Sequence, residues 1–253
     1  MAGGVALVTG GAVRIGRAIA GDLAANGWRV AVHCHRNSTQ AEALVAEISR
    51  QGGSACALAA DLADETAAAG LIDRAAAELG PVTALVNNAA LFEHDTPRTA
   101  SRASWDLHMA INLRAPFVLT QALVAHLGAG GKGAVVNIVD QRVWNPGPEF
   151  TTYTLSKMAL WDMTRVLARA LAPDIRVNAV GPGPTLANSR QTDEQFARQW
   201  QATPLARPVD PAEVAAAVRF LLDAPAVTGQ MIAVDSGQHL GFADDSHDAP
   251  GQG

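Results

Sequence analysis

Apolar, β-branched runs alternate with alanine-rich amphipathic stretches along the chain. Val5–Thr9, Trp28–His33, Ala55–Ala59, Ala84–Asn87, Gly133–Ile138, Ile175–Val180 and Met231–Val234 read as strands. Between them, Arg14–Asn26, Thr39–Arg50, Glu65–Leu79, Ser104–Leu127, Thr152–Leu171 and Pro211–Leu222 read as helices. The strands are continuously apolar, the pattern of a sheet buried on both faces. Strand and helix in alternation predict an α/β fold: a Rossmann-type, doubly wound parallel sheet of about seven strands with helices on both faces. Such sheets bind ligands at the carboxyl ends of their strands, so the loops after strands are the places to search.

Residues 1–243 form one domain on this reading. Within it, residues 184–207 are polar and weakly periodic with a proline near each end. Their place after a parallel strand suits a substrate lid. Residues 244–253 are acidic and contain Gly and Pro, and are expected to be a disordered tail. A formal charge of −5 gives no electrostatic reason to expect nucleic acid or an anionic membrane. Cys34 and Cys56 are too few for a disulfide framework, and a reduced pair is expected. No apolar stretch is long enough to span a bilayer and no signal sequence precedes the first strand, so a cytoplasmic enzyme is expected.

The first strand runs through Thr9-Gly10-Gly11-Ala12-Val13-Arg14-Ile15-Gly16 straight into a helix. Glycines there let the backbone approach a pyrophosphate, and the helix N-terminus offers unpaired N–H groups. Arg14 stands where a dinucleotide fingerprint often has glycine. Folds that bind NAD usually carry an acid at the end of the second strand, but no Asp or Glu lies between Asp22 and Glu42. The strand end reads His33-Cys34-His35-Arg36-Asn37-Ser38 instead. Arg14 and Arg36 are expected to clamp a 2′-phosphate, with His35, Asn37 and Ser38 as nearby donors, which predicts NADPH. His33 and His35 share a strand face as two metal ligands would, yet no third ligand is near them in sequence.

Tyr153, the sole tyrosine, precedes Lys157 by four residues, which puts both on one helix face. The ammonium is expected to lower the phenol pKa from about 10. These residues lie in an ordered set: the Thr9–Gly16 turn, Asp61 after the third strand, Asn87-Asn88-Ala89 after the fourth, Asn112 in the long helix, the Tyr/Lys pair, Asn178, and Pro182-Gly183. Taken together, the chain resembles the short-chain dehydrogenase/reductase family over nearly its full length. In detail it looks most like the pteridine reductases and dihydromonapterin reductases. Arg14 matches their turn, and the His33–Arg36 strand end resembles their NADPH-selective one. Asp140, thirteen residues before Tyr153, matches their aspartate where the wider family has serine. Phe92 falls where those enzymes stack an aromatic ring on the pterin. Ala90 departs from the wider family's glycine and from the serine that pteridine reductases often carry.

The resemblance implies cofactor contacts from Gly10, Arg14, Ile15, Gly16, His35, Arg36, Asn37, Ser38, Asp61, Leu62, Asn88, Ala89, Ala90, Tyr153, Lys157, Pro182 and Gly183. It implies that Tyr153 relays a proton, that Lys157 holds the nicotinamide ribose, and that Asn112 positions a water connecting Lys157 to solvent. Asp140 and Phe92, with Tyr153, would meet the substrate. The implied activity is NADPH-dependent reduction of a dihydropterin or dihydrofolate, in a homotetramer packed through the two long helices. The alternatives are an NADPH-dependent ketone or quinone reductase, and a non-catalytic NADP-binding sensor. Intact Asn112, Tyr153 and Lys157 argue against the sensor, because phosphate binding requires none of them.

Overall fold

The computed structural model describes residues 3–36, 38–187 and 190–241. The elements follow in the order β1 (Val5–Val8), α1 (Arg14–Ala25), β2 (Arg29–Cys34), α2 (Thr39–Arg50), β3 (Ala55–Ala59), α3 (Glu65–Ala69), α4 (Leu71–Leu79) and β4 (Val82–Asn87). Then come α5 (Arg102–Met109), a π turn (Ala110–Arg114), α6 (Ala115–Leu127), β5 (Gly133–Ile138), a 3₁₀ turn (Gln141–Val143) and α7 (Thr151–Ala170). The chain continues through β6 (Ile175–Pro182), α8 (Asp193–Gln201), α9 (Pro211–Asp223), β7 (Met231–Val234) and a last 3₁₀ turn (Gln238–Leu240). The seven strands form one sheet in the order β3-β2-β1-β4-β5-β6-β7, every pair parallel. The order reverses between β1 and β4, so the loops at their carboxyl ends diverge and open a crevice there.

Side chains of one strand point alternately to the two faces, and both faces are apolar. Ala6 and Val8 of β1 join Ile19, Leu23, Val214 and Val218 in a cluster with α1 and α9. Val5 and Leu7 join Ile72, Leu119 and Leu123 on the other side. Each fully buried leucine of this kind contributes about 2 kcal/mol by the area it removes from water. Among the described residues no helix is long and apolar enough to cross a membrane.

Two predicted helices are interrupted. Glu65–Leu79 is broken at Gly70, which joins α3 to α4. The long helix widens into the π turn around Asn112. The polar stretch after β6 contains α8, whose start is fixed by a reciprocal capping box between Thr192 and Gln195. Cys34 pairs across β2 and β3 with Ala59, and Cys56 with Ala31, and both thiols are free. The predicted tail of residues 244–253 lies outside the described residues.

Candidate active site

The turn after β1 is built around contacts that a side chain would destroy. Gly10 has φ +59 and donates its N–H to His33 Nδ1 at 3.1 Å. His33 Nε2 lies 3.1 Å from the Ala60 carbonyl, so the ring proton sits on Nε2 and both nitrogens are engaged. That leaves no lone pair for a metal. Burial pushes the His33 pKa down to about 4, which keeps the ring neutral. A Cβ at Gly16 would lie 2.1 Å from the Gly10 carbonyl oxygen and 2.5 Å from Asn88 Nδ2. Asn88 grips the turn from β4: Nδ2 donates to the carbonyls of Thr9 (2.9 Å) and Gly10 (3.1 Å). Thr9 Oγ1 accepts from the N–H groups of Asn88 (2.9 Å) and Ala89 (3.0 Å). No side chain caps α1, so its first N–H groups stay available, as a pyrophosphate requires. Ile15 packs half-buried against the core, and Ala90 is exposed at the rim.

At the other end of the crevice, His35 Nε2 lies 3.2 Å from Asp61 Oδ2 and Arg36 lies 3.7 Å from the same oxygen. The Ala63 N–H, followed by His35, holds the Asp61 carboxyl below its ordinary range. Arg36 is 81% exposed, and Ser38 directly precedes α2 without capping it. Asn37 lies outside the described residues. Arg14 and Arg36, the two expected to clamp a 2′-phosphate, here have separate partners within the protein. Arg14 adopts φ +52, and its guanidinium donates to the carbonyls of Ala187 (2.8 Å) and Leu186 (2.9 Å). These carbonyls satisfy its fork and bind the stretch after β6 to the glycine-rich turn. The Leu62 side chain is buried in the second hydrophobic cluster. At the end of β6, Gly183 donates its N–H to the Val234 carbonyl at 3.0 Å, and a Cβ on it would lie 2.6 Å from Asp235 Cα.

The catalytic candidates converge on the β5 end. Tyr153 is buried and donates its hydroxyl to Asp140 Oδ2 at 2.8 Å. Asp140 Oδ1 accepts from the Arg142 N–H at 2.9 Å and so caps the 3₁₀ turn. Lys157, 2% exposed, donates to the Ile138 carbonyl at 2.7 Å, and its Nζ lies 5.9 Å from the centre of the Tyr153 ring. Burial brings its pKa down to about 8, against the support of Asp140. The expected acidification of Tyr153 does not occur. Burial, then the charge and hydrogen bond of Asp140, push the phenol well above its ordinary range. Asp140 is itself raised by burial, opposed by the Arg142 backbone bond and charge.

Asn112 lies in the π turn. Its side chain accepts from Leu91 N–H (2.8 Å) and donates to the Leu91 carbonyl (3.0 Å) and Ser156 Oγ (3.0 Å). The amide is therefore committed to pinning the loop after β4 against α7, through Ser156, which donates to the Tyr153 carbonyl at 2.7 Å. Asn178 likewise secures the approach to β7, donating to the Val227 carbonyl (2.9 Å) and accepting from Gln230 N–H (3.0 Å). Phe92 stands beside Tyr153, ring centres 4.6 Å apart, but Phe150 already stacks on it at 4.3 Å and 9°.

Sequence reasoning missed the residues that aim α7. Buried Asp95 accepts from Thr152 N–H at 3.1 Å and from the Thr152 hydroxyl, and its carbonyl accepts from Phe150 N–H at 2.8 Å. Fully buried His108 faces the Thr152 hydroxyl at 2.9 Å. Phe150 holds φ +59 immediately before the helix. A lone aspartate in a loop carries no local signal of this role, since its partner is 57 residues away.

Comparison with known proteins agrees with this geometry. Residues 10–239 match the family described as Enoyl-(Acyl carrier protein) reductase. A solved structure of FolM alternative dihydrofolate reductase 1 from Brucella canis, complexed with NADP, is 46% identical and superposes with a TM-score of 0.92 over 97% of each chain. A putative ketoacyl reductase 2 of granaticin polyketide synthesis from Streptomyces violaceoruber is 35% identical over 93% of this chain and 96% of its own. The 3-oxoacyl-[acyl-carrier-protein] reductase of Synechocystis is 34% identical over 92% and 96%. By these matches, and by its seven-stranded parallel sheet, the chain belongs to the short-chain dehydrogenase/reductase family.

Proposed function

We propose that the protein is an NADPH-dependent reductase of a dihydropteridine, of the dihydropterin or dihydrofolate kind. The observation that carries this reading is the Asp140 carboxylate hydrogen-bonded to Tyr153. A carboxylate suits the N–H-rich edge of an aminopteridine and repels a ketone oxygen. The crevice fits the cofactor: an uncapped α1 N-terminus and a Gly16 cradle for the pyrophosphate, with His35 and the Arg36 guanidinium at the adenosine end. NADPH, when bound, supplies the hydride.

The chain's own groups do the rest. Tyr153, held protonated by burial and by Asp140, is the acid that delivers a proton to the substrate nitrogen. Lys157, whose Nζ donates to the Ile138 carbonyl, would hold the nicotinamide ribose and supply positive charge near Tyr153. Phe92 and Phe150 form an aromatic wall that excludes water and orients a planar ring. Arg14 and Arg190 tie the stretch after β6 to the glycine-rich turn and to the Phe92 carbonyl, which supports reading that stretch as cover over the cleft. The apolar groove of Met109, Leu113, Phe117 and Met163 between the long helices supports assembly as a homotetramer. A cytoplasmic location accords with the free thiols.

A second reading, reduction of a 3-oxoacyl or other carbonyl group, is favoured by the ketoacyl reductases among the relatives. Mixing the protein and NADPH with dihydrobiopterin, dihydrofolate, a quinone and acetoacetyl thioesters separates the two. Oxidation of NADPH with a dihydropteridine, lost in Tyr153→Phe while NADPH still binds, is the expected result. Turnover of carbonyls alone would reject it.

A further inference from the structure

Among the described residues Arg14, Arg36, Arg142 and Arg190 stand beside the cleft, and all but Arg142 face an acceptor within the protein. Arg14 holds the Leu186 and Ala187 carbonyls, Arg36 approaches Asp61, and Arg190 donates to the Phe92 carbonyl and pairs with Glu93. The fourth, Arg142, is half-buried two residues after Asp140. Among the described residues no carboxylate or carbonyl accepts from its guanidinium. Its guanidinium lies 5.2 Å from the Phe150 ring centroid, and its charge also acts on Asp140 and Tyr153. The nearest acid in sequence beyond Asp140, Glu149, faces His94 at 3.7 Å instead. Gly147 runs alongside: a Cβ there would meet the Arg142 guanidinium at 3.4 Å.

A guanidinium has five N–H donors, and leaving them without an acceptor in a half-buried place is costly unless a ligand or water takes them up. The position is specific. Tyr153, Phe92, Phe150 and Arg142 form a continuous row, with steps of 4.6, 4.3 and 5.2 Å. The row begins at the proton donor, continues as a stacked aromatic pair and ends on a cation. We propose that Arg142 is a specificity-determining residue that binds an anionic substituent of the substrate. The substrate class is then a pteridine whose head lies at Tyr153, whose tail carries an aryl ring along Phe92 and Phe150, and whose carboxylate reaches Arg142. That is a folate-type rather than a tail-less pteridine. The inference rests on the pteridine reading above.

The test is calorimetric binding of folate and of biopterin to the NADP⁺-loaded protein, in wild type, Arg142→Met and Arg142→Lys. The NADP⁺ Kd of each variant, unchanged from wild type, shows that the fold is intact. In Arg142→Met the folate Kd should weaken roughly ten- to a hundredfold, the factor of one charge-assisted contact. Biopterin should change by less than about threefold. Arg142→Lys should fall between, because it keeps the charge and loses the fork. Equal weakening for both ligands, no weakening for folate, or a wild type that binds biopterin but not folate would each overturn the proposal. If the wild type binds neither pteridine, the pteridine reading itself falls. The same variants are then assayed on acetoacetyl-CoA against ethyl acetoacetate. Selective loss on the anionic thioester keeps an anion-binding Arg142 and discards only the pteridine, and a uniform response overturns both.

Discussion

The chain has one tyrosine in 253 residues, so the ionisation of Tyr153 can be followed by near-ultraviolet tyrosinate absorbance with no other phenol contributing. Its ring is 6% exposed and its hydroxyl donates to Asp140 Oδ2 at 2.8 Å. Burial raises its pKa most, and the charge and hydrogen bond of Asp140 raise it further. Asp140→Asn keeps the volume and removes the charge, so the burial contribution stays while the carboxylate contribution goes. A charge-assisted hydrogen bond is worth about 1.5–3 kcal/mol, so its loss should bring the Tyr153 titration down in the variant, while burial still holds it above the ordinary range. Circular dichroism over the same range checks that the fold persists. The rate profile should respond as well. Asp140 supports the charge on Lys157, whose pKa is about 8, so the alkaline limb should move to lower pH when that support is lost. Coincident absorbance titrations of wild type and variant would refute the claim that Asp140 keeps the proton on Tyr153.

Two further outcomes follow from the crevice. In Gly16→Ala the new Cβ must displace both the Gly10 carbonyl and the Asn88 side-chain amide. Overpacking of this kind costs about 1–3 kcal/mol, so NADPH affinity measured by fluorescence titration should drop roughly ten- to a hundredfold; wild-type affinity would contradict the close approach. For His33, the unfolded pKa is the ordinary 6.5 and the folded one about 4. The unfolded chain takes up the proton first, so stability is complete above 6.5 and is lost as pH falls towards 4. The loss is of the order of 3 kcal/mol, and urea denaturation of His33→Gln should show a flatter pH dependence across that window. An unchanged slope would mean that His33 is not held neutral.

The strands, most of the helices and the Tyr153/Lys157 pair were legible in the sequence because they rest on local signals. Continuous apolar strands such as Val5–Val8 and Gly133–Ile138 announce a doubly covered sheet, and all of their residues are buried. Tyr153 and Lys157, one helical turn apart, do share a face. What stayed hidden depends on partners far away in the chain. A period of 3.6 cannot distinguish an α-helix from one widened by a single π turn, so the segment around Asn112 read as uninterrupted. The amide of Asn112 then found Leu91, and Arg14 found the carbonyls of Leu186 and Ala187, 172 and 173 residues ahead.

The sign of the Tyr153 shift is the most instructive miss. Spacing alone puts an ammonium near a phenol and suggests a lowered pKa, but the outcome is set by what touches the hydroxyl. Lys157 Nζ is 5.9 Å from the ring centre and spends a hydrogen bond on the Ile138 carbonyl, whereas the Asp140 carboxylate is 2.8 Å from the hydroxyl oxygen. In a site shielded from water the near charge dominates the distant one. A carboxylate in the usual serine position therefore does more than offer an acceptor to substrate. It converts the phenol from a group poised to lose its proton into one that retains it until a more basic acceptor arrives. On the proposed pteridine reading a substrate nitrogen is such an acceptor and a neutral carbonyl oxygen a poorer one, so the same carboxylate would both disfavour a ketone and set the acid to serve a C=N bond.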